Sequence, residues 1–401
     1  MLKAIVRRTA FLLTGLLAIG QLFAGHPTLQ EVWARHDQTL MGALGKPVAR
    51  DSSQDHVFKG KAGRTVHGID IGPEAMPPVL WWNGGPGLPA DTAWDSFCFA
   101  EAGRYRHLEI DSPGTGLSSW VEGWRPEDTV DDAAAFLRLR GITTPILVVG
   151  YSWGSTMALL FAQRHPELVR GVVIGGVWAN TKKEVEAYLG VNGNRIWMPG
   201  VSDAFRGSVQ GPISASSIHA AIRSGRGGKA LCLAYDAAET LQAVGGRIPL
   251  KALLDPIDAS VVSPLNIATE TDPDIRFAFI ESEMMARGEQ GKWSLKPRFP
   301  KALERVPIII VQGRFDQICS REVAQKVLRA WPCKDKLLVP MNGGHLSFGA
   351  PPKETLELAG LVLTEPQRTS LRRAMGLHYG NVSALFGAAI DCLMQTGPSP
   401  Q

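Results

Sequence analysis

The residues best equipped for chemistry are a serine between glycines, Gly150-Tyr151-Ser152-Trp153-Gly154. A serine hydroxyl is a poor nucleophile until a base takes its proton. The pentapeptide follows the β-branched run Ile146 to Val149 and precedes a helical pattern, about Ser155 to His165. A tight strand-to-helix turn crowds the backbone, so small residues must flank the serine. Such a turn lifts the hydroxyl over the sheet and points the Trp153 N–H, at a helix N-terminus, toward a reacting carbonyl. The plainer reading is a serine in an ordinary βα turn. Among nine histidines, His345 in Gly343-Gly344-His345 follows a short strand near the end of the α/β pattern, where a base following nucleophile and acid in chain order belongs. The acid should close the preceding strand. Pro307 to Val311 leads into Gln312-Gly313-Arg314-Phe315-Asp316, so Asp316 is expected to fix the imidazole tautomer and stabilise the imidazolium. Asp255 and Asp274 are weaker rivals. Asn83-Gly84-Gly85-Pro86-Gly87 follows Trp81-Trp82; its glycines let a backbone N–H of Gly84 or Gly85 approach a substrate oxygen, unless the segment is a plain Gly/Pro turn.

These side chains need a sheet whose strand ends meet. Apolar runs ending in Gly, Asp or Asn occur at Pro78 to Trp82, His107 to Ile110, Ile146 to Gly150, Gly171 to Ile174, Pro307 to Val311 and Leu337 to Val339. Helical spacing occurs at Val130 to Arg140, Ser155 to His165 and Val323 to Trp331. The alternation predicts an α/β fold with a mostly parallel sheet flanked by helices. It stops between Trp178 and Pro300, where helices and loops are expected to form a cap. Arg223 to Lys229 (RSGRGGK) lies there; it reads as a loop and not as a phosphate cradle, because no strand precedes it and no GK[ST] follows. The expected organisation is a leader at 1–24, a first core segment at 25–180, a helical cap at 181–300, a second core segment at 301–360 and a helical C-terminal extension at 361–401.

The chain has 401 residues, 45% hydrophobic and 20% charged, with 43 Gly and 27 Pro in no regular period. Disorder, collagen-like repeats and coiled coil are excluded. Lys3, Arg7 and Arg8 precede the apolar run Phe11 to Ala24, which is short for a membrane span and suits an export signal. Without those three basic residues the formal net charge of +4 falls to +1, which leaves no basic footprint for nucleic acid. Nothing after the leader resembles a membrane span. Export to the periplasm or exterior would permit a disulfide among Cys98, Cys232, Cys319, Cys333 and Cys392, although five cannot all pair. No HExxH, CxxC, dinucleotide fingerprint or Walker loop is present, so no cofactor, metal or nucleotide is expected.

The motifs together resemble the proline iminopeptidase (prolyl aminopeptidase) branch of the α/β-hydrolase superfamily. In that branch HGGPG, D-x-R-G-x-G-x-S, GGSWGS, GRYD-x-x-C and GAGH occur in order. The counterparts here are Asn83 to Gly87 (NGGPG), Asp111 to Ser118 (DSPGTGLS), Gly150 to Ser155 (GYSWGS), Gly313 to Cys319 (GRFDQIC) and Gly343 to His345 (GGH). The resemblance implies an α/β-hydrolase fold with an inserted helical cap, a Ser152–Asp316–His345 triad, and an oxyanion hole from Trp153 with Gly84 or Gly85. In the cap, Trp197-Met198-Pro199 to Phe205 is similar to an FPD-x-W segment. Ile280-Glu281-Ser282 is similar to a segment whose glutamate receives the substrate's free α-amine, so Glu281 is the implied amine anchor, with Ser282 or Glu283 as supporting hydrogen-bond partners. Asn83 replaces the branch's His, Ser112-Pro113 its Gln-Arg, and Glu283 and Met284 its His and Tyr.

The implied activity is removal of an N-terminal residue, proline among the candidates, from short peptides. The same triad would serve an esterase, lactonase or amidase acting on a small ester or amide, with Glu281 a cap carboxylate on solvent. A non-catalytic ligand-binding protein on a hydrolase scaffold is the reading from a different class. Oligomeric state is not readable. The leader makes one direct prediction: in its native host the mature chain begins near Gly25. Intact-mass measurement checks it, and a cytosolic protein retaining Met1 would refute export.

Overall fold

The computed structural model describes residues 54–90, 105–190, 208–243, 264–341 and 343–345, with a few positions near 193, 205 and 389–394. The expected leader, Trp197 to Pro199, Asp255, Cys98, Cys392 and most of the C-terminal extension lie outside the described residues.

Eight strands form one sheet in the order β1-β2-β4-β3-β5-β6-β7-β8. They are β1 (Asp55–Lys59), β2 (Thr65–Ile71), β3 (Pro78–Trp82), β4 (Arg106–Ile110), β5 (Ile146–Tyr151), β6 (Val169–Gly175), β7 (Ile308–Gly313) and β8 (Lys336–Met341). From β4 to β8 every pairing is parallel. The apolar runs name these six strands because a strand covered on both faces can be apolar throughout. Along β5, Ile146 and Val148 enter the core on one face, and Leu147 and Val149 that on the other.

The sequence pattern did not anticipate β1 and β2, which pair antiparallel with each other, β2 also antiparallel with β4. Their sequences, DHVFK and TVHGIDI, carry charges and histidines that a run-based reading scores as loop. The polar groups are matched across the fold instead. Arg106 donates to Asp70 at 2.8 and 2.6 Å, and His67 sits between Asp111 (2.7 Å) and Asp55 (2.8 Å).

Helix α1 (Pro126–Leu139) and helix α2 (Trp153–Arg164) pack against each other, and α2 lies on β5. Proline at the first turn and Glu127 and Asp128 beside it suit the start of α1. Between β6 and β7 come α3 (Lys182–Leu189), α4 (Ala215–Arg223), α5 (Gly228–Ala243) and α6 (Pro273–Glu289), with α6 packed against the other three. Asp272 caps α6 by accepting from Asp274 N at 3.0 Å, and Pro273 follows. Asp274 therefore sits in the first turn of α6, 3.5 Å from Lys229. Lys229 also pairs with Asp272, which engages the one lysine of the Arg223 to Lys229 turn. Helix α7 (Arg321–Ala330) covers β7 and β8.

On the opposite face Ala389, Ile390 and Leu393 join Trp81, Leu147, Val149 and Val173 in a core cluster, and Arg170 donates to the carbonyls of Leu393 and Met394 at 3.2 and 3.1 Å. The described part of the C-terminal extension is thus part of the core. Cys232, Cys319 and Cys333 are buried free thiols. Among the described residues no helix is long and apolar enough to cross a membrane.

Candidate active site

The carboxyl ends of β3, β5, β7 and β8 converge on one cleft. Ser152 follows β5 with φ 57° and ψ −124°, a left-handed conformation that costs a non-glycine residue about 1–3 kcal/mol. The neighbours impose it. A Cβ on Gly150 would collide with the Gly154 carbonyl, and one on Gly154 with the Trp82 carbonyl. Ser152 N donates to Gly175 O at 2.9 Å, and Ser155 N donates to Ser152 O at 2.9 Å. Trp153 is the first residue of α2, so its N–H belongs to the unpaired first turn of a helix. Gly84 lies against the serine, close enough that a Cβ there would be 3.1 Å from Ser152 Cβ and 3.7 Å from its Oγ.

His345, 4% exposed, has Nδ1 2.9 Å from Asp316 Oδ2. The Asp316 carboxylate is itself held. Its Oδ1 accepts from Cys319 N at 2.7 Å and Ile318 N at 3.0 Å, and its Oδ2 from Gln312 Nε2 at 3.2 Å. Of the three acids named from the sequence, the structure brings Asp316 to His345; Asp274 is paired with Lys229 in the cap, and Asp255 is outside the described residues. Burial pulls the His345 pKa down, but the Asp316 charge and hydrogen bond, with a smaller contribution from Glu239, leave it raised above the ordinary 6.5. Cys319 adjoins both groups: it offers a ligand atom within 4.8 Å of others from His345 and Asp316. These three residues are the one metal-capable cluster among the described residues. Burial, then the Asp316 charge, push the Cys319 thiol well up.

The cleft is narrow and is lined by Gly85, Pro86, Ser152, Trp153, Trp178, Tyr188, Glu239, Glu281, Met285 and Ile318. Its apolar wall suits a small side chain, and two carboxyl groups stand in it. Helix α6 reaches over the Asn83 to Gly87 loop: a Cβ on Gly85 would be 2.9 Å from Phe277 Cε2 and 3.3 Å from Glu281 Oε2. Glu281 is 1% exposed, which overturns its placement on solvent. Tyr235 donates to its Oε1 at a long 3.5 Å, and its Oε2 is buried with no hydrogen-bond donor. Burial first, then the charges of Glu239 and Asp236, raise the Glu281 pKa well above its ordinary value, against a lowering by the Tyr235 hydrogen bond.

Ser282 and Glu283 do not support Glu281. Ser282 Oγ donates to Phe279 O at 3.1 Å and meets His219, and Glu283 pairs with Arg287 at 2.7 Å. Successive helical residues point to different faces. The groups beside Glu281 come from α5, and Glu239 among them was not marked by the sequence: in GKALCLAYDAAETLQA nothing separates it from a surface carboxylate.

Two motif segments act as braces. Asn83 Oδ1 accepts from Trp81 Nε1 at 3.0 Å while its Nδ2 donates to Pro89 O at 2.9 Å. Asp111 accepts from Leu117 N at 2.9 Å and Ala90 N at 2.5 Å, which ties its own loop to the end of the Asn83 loop.

A parallel sheet with a serine elbow after β5, an acid after β7, a histidine after β8 and a helical insertion between β6 and β7 is the arrangement of an α/β-hydrolase. The profile of the alpha/beta hydrolase fold family matches residues 77–207. An α/β-hydrolase enzyme from a Medee basin deep-sea metagenome library superposes with a TM-score of 0.51 over 86% of this chain and all of its own, at 16% identity, a likeness of fold. The protein is thus of the α/β-hydrolase fold.

Its sequence relatives within that fold include proline iminopeptidases. Those of Xylella fastidiosa and Neisseria gonorrhoeae are 27% identical over 68% and 70% of this chain and 84% and 86% of their own lengths. That of Arabidopsis thaliana is 29% identical over 67% of this chain and 68% of its own. In sequence the chain is thus similar to proline iminopeptidases.

The His345 environment sets a pH prediction. A general base works only when neutral, so a raised pKa moves the loss of activity to higher pH. With a neutral ester substrate, the acidic limb of kcat/KM should have its midpoint above 6.5. In Asp316→Asn the residual activity should be far lower and its limb shifted to lower pH, because the raising carboxylate is gone. A wild-type limb below that value, or an Asp316→Asn profile matching wild type in rate and midpoint, would contradict the assignment.

Proposed function

We propose that this chain is a serine hydrolase that removes an N-terminal residue, proline among the candidates, from short peptides, and that it is exported. Ser152 is the nucleophile, His345 the general base, and Asp316 the carboxylate that holds the imidazole tautomer. His345 Nε2 takes the Ser152 proton as Oγ attacks the peptide carbonyl. The oxyanion forms against the N–H groups of Trp153 and of Gly84 or Gly85. The intermediate collapses as His345 hands the proton to the departing amine. Water, deprotonated in turn by His345, then cleaves the acyl-enzyme and restores Ser152.

The observation that carries the peptidase reading is the pair of carboxyl groups, Glu281 and Glu239, in the cleft that holds Ser152. Glu281 is buried with a carboxylate oxygen that lacks a donor, and the charges acting on it most strongly are negative. Such a group is costly to bury ionised, and a bound cation relieves that cost. The α-ammonium of a peptide supplies the cation at a fixed distance from the first carbonyl, which places that carbonyl at Ser152. Trp178, Tyr188, Met285 and Ile318 give an apolar surround for the first side chain.

The test compares a free-amine aminoacyl arylamide, its N-blocked analogue and a simple aryl ester. Removing one partner of a buried charge pair costs about 2–5 kcal/mol, roughly 30-fold to a few thousand-fold. Glu281→Gln is expected to lower kcat/KM for the free-amine substrate by that factor and to leave the ester within about twofold. Equal loss on both substrates, or none on either, would refute the amine anchor and favour an esterase, lactonase or amidase.

A further inference from the structure

Tyr151, the residue immediately before the strained serine, links the strand that carries the nucleophile to the loop that carries the base. Its hydroxyl donates to the backbone carbonyl of His345. Its ring lies 5.2 Å from the imidazole, centroid to centroid, at 45°. Gly176 makes room for the pair: a Cβ there would fall 2.9 Å from His345 Cε1 and 3.1 Å from Tyr151 Cζ. Burial, then the Asp316 charge, hold the phenol well above its ordinary range, so it remains a donor.

The base loop is already tied to the acid loop. Arg314 N donates to Met341 O at 2.8 Å, and Phe315 N to Gly343 O at 3.0 Å. With the Nδ1 bond to Asp316, these contacts register base against acid. They do not register base against nucleophile, because the imidazole can still pivot about the Nδ1···Oδ2 line. Proton transfer between Ser152 and His345 requires alignment across that gap, and a misplacement of about 1 Å costs on the order of a hundredfold in rate. Tyr151 spans it from the residue adjoining the serine, so a shift of the elbow and a shift of the histidine backbone are coupled through one side chain. The related GGSWGS pattern has glycine here, so this strut belongs to the present chain.

We propose that Tyr151 is a positioning residue, its hydroxyl holding the His345 carbonyl so that the imidazole stays aligned on Ser152; this rests on the Ser152–His345–Asp316 reading. The test is Tyr151→Phe, which removes the hydroxyl and keeps the ring. Rates are expressed per competent site, counted by the end point of fluorophosphonate labelling, so a partly folded preparation still gives a usable number. The expected result is a kcat about ten- to a hundredfold lower, a KM within twofold, and the same loss on ester and aminoacyl arylamide. The fluorophosphonate labelling rate should fall by a similar factor. A kcat per site within twofold of wild type overturns the proposal even if the melting temperature falls, since the hydroxyl would then serve folding alone. A raised KM at unchanged kcat also overturns it, as the mark of a substrate contact. Ser152→Ala, run in parallel, separates the two levels. Turnover retained in Ser152→Ala refutes the underlying mechanism, whereas an inactive Ser152→Ala beside a fully active Tyr151→Phe refutes the positioning role alone.

Discussion

Ser152 is held in a backbone conformation that a serine would not adopt alone, and the sheet is built so that it has no alternative. Gly150 and Gly154 flank it with no space for a side chain, Trp82 and Gly154 approach backbone to backbone, and Ser152 N donates to Gly175 O at 2.9 Å. The register β3–β5–β6 brings Trp82, Gly150 and Ile174 side by side, so the turn is clamped by strands on both sides. A few kcal/mol of local strain is sustained because many buried contacts would have to break to release it. The Gly84 approach, the start of α2 and the Tyr151 contact with His345 all take their positions from that turn.

Charge is distributed unevenly about the serine. On one side His345 and Asp316 form a pair in which the carboxylate raises the basicity of a buried imidazole. On the other, Glu281 and Glu239 stand in the cap, and burial, followed by the negative charges of Glu239 and Asp236, drives Glu281 toward its neutral form. The proposed function assigns binding and chemistry to different elements: the carboxyl groups on α5 and α6 to ligand selection, and the groups at the ends of β5, β7 and β8 to reaction.

What could be read from the chain follows from where each partner lies. The parallel strands were legible because strands covered on both faces are apolar throughout, and Ser152, Asp316 and His345 because each closes such a run. β1 and β2 were not, because His67 and Asp70 are buried against Asp55, Asp111, Arg106 and Arg140, partners that no local pattern reveals. Glu281 was named by resemblance, but its surroundings were misjudged: the groups beside it come from another helix and not from Ser282 and Glu283. Glu239 and Tyr151 were missed for the same reason. Tyr151 fills the variable position of the pentapeptide, and its partner is 194 residues away.

The claim on which the rest depends is that Ser152 is the nucleophile, and covalent trapping tests it most directly. The purified protein is treated with a fluorophosphonate, digested, and the adduct located by mass spectrometry. The expected result is one adduct per chain, on the peptide containing Ser152, with loss of hydrolysis proportional to labelling and no adduct in Ser152→Ala. An unlabelled protein that still hydrolyses its substrates, or an adduct elsewhere that tracks the loss of activity, would contradict it.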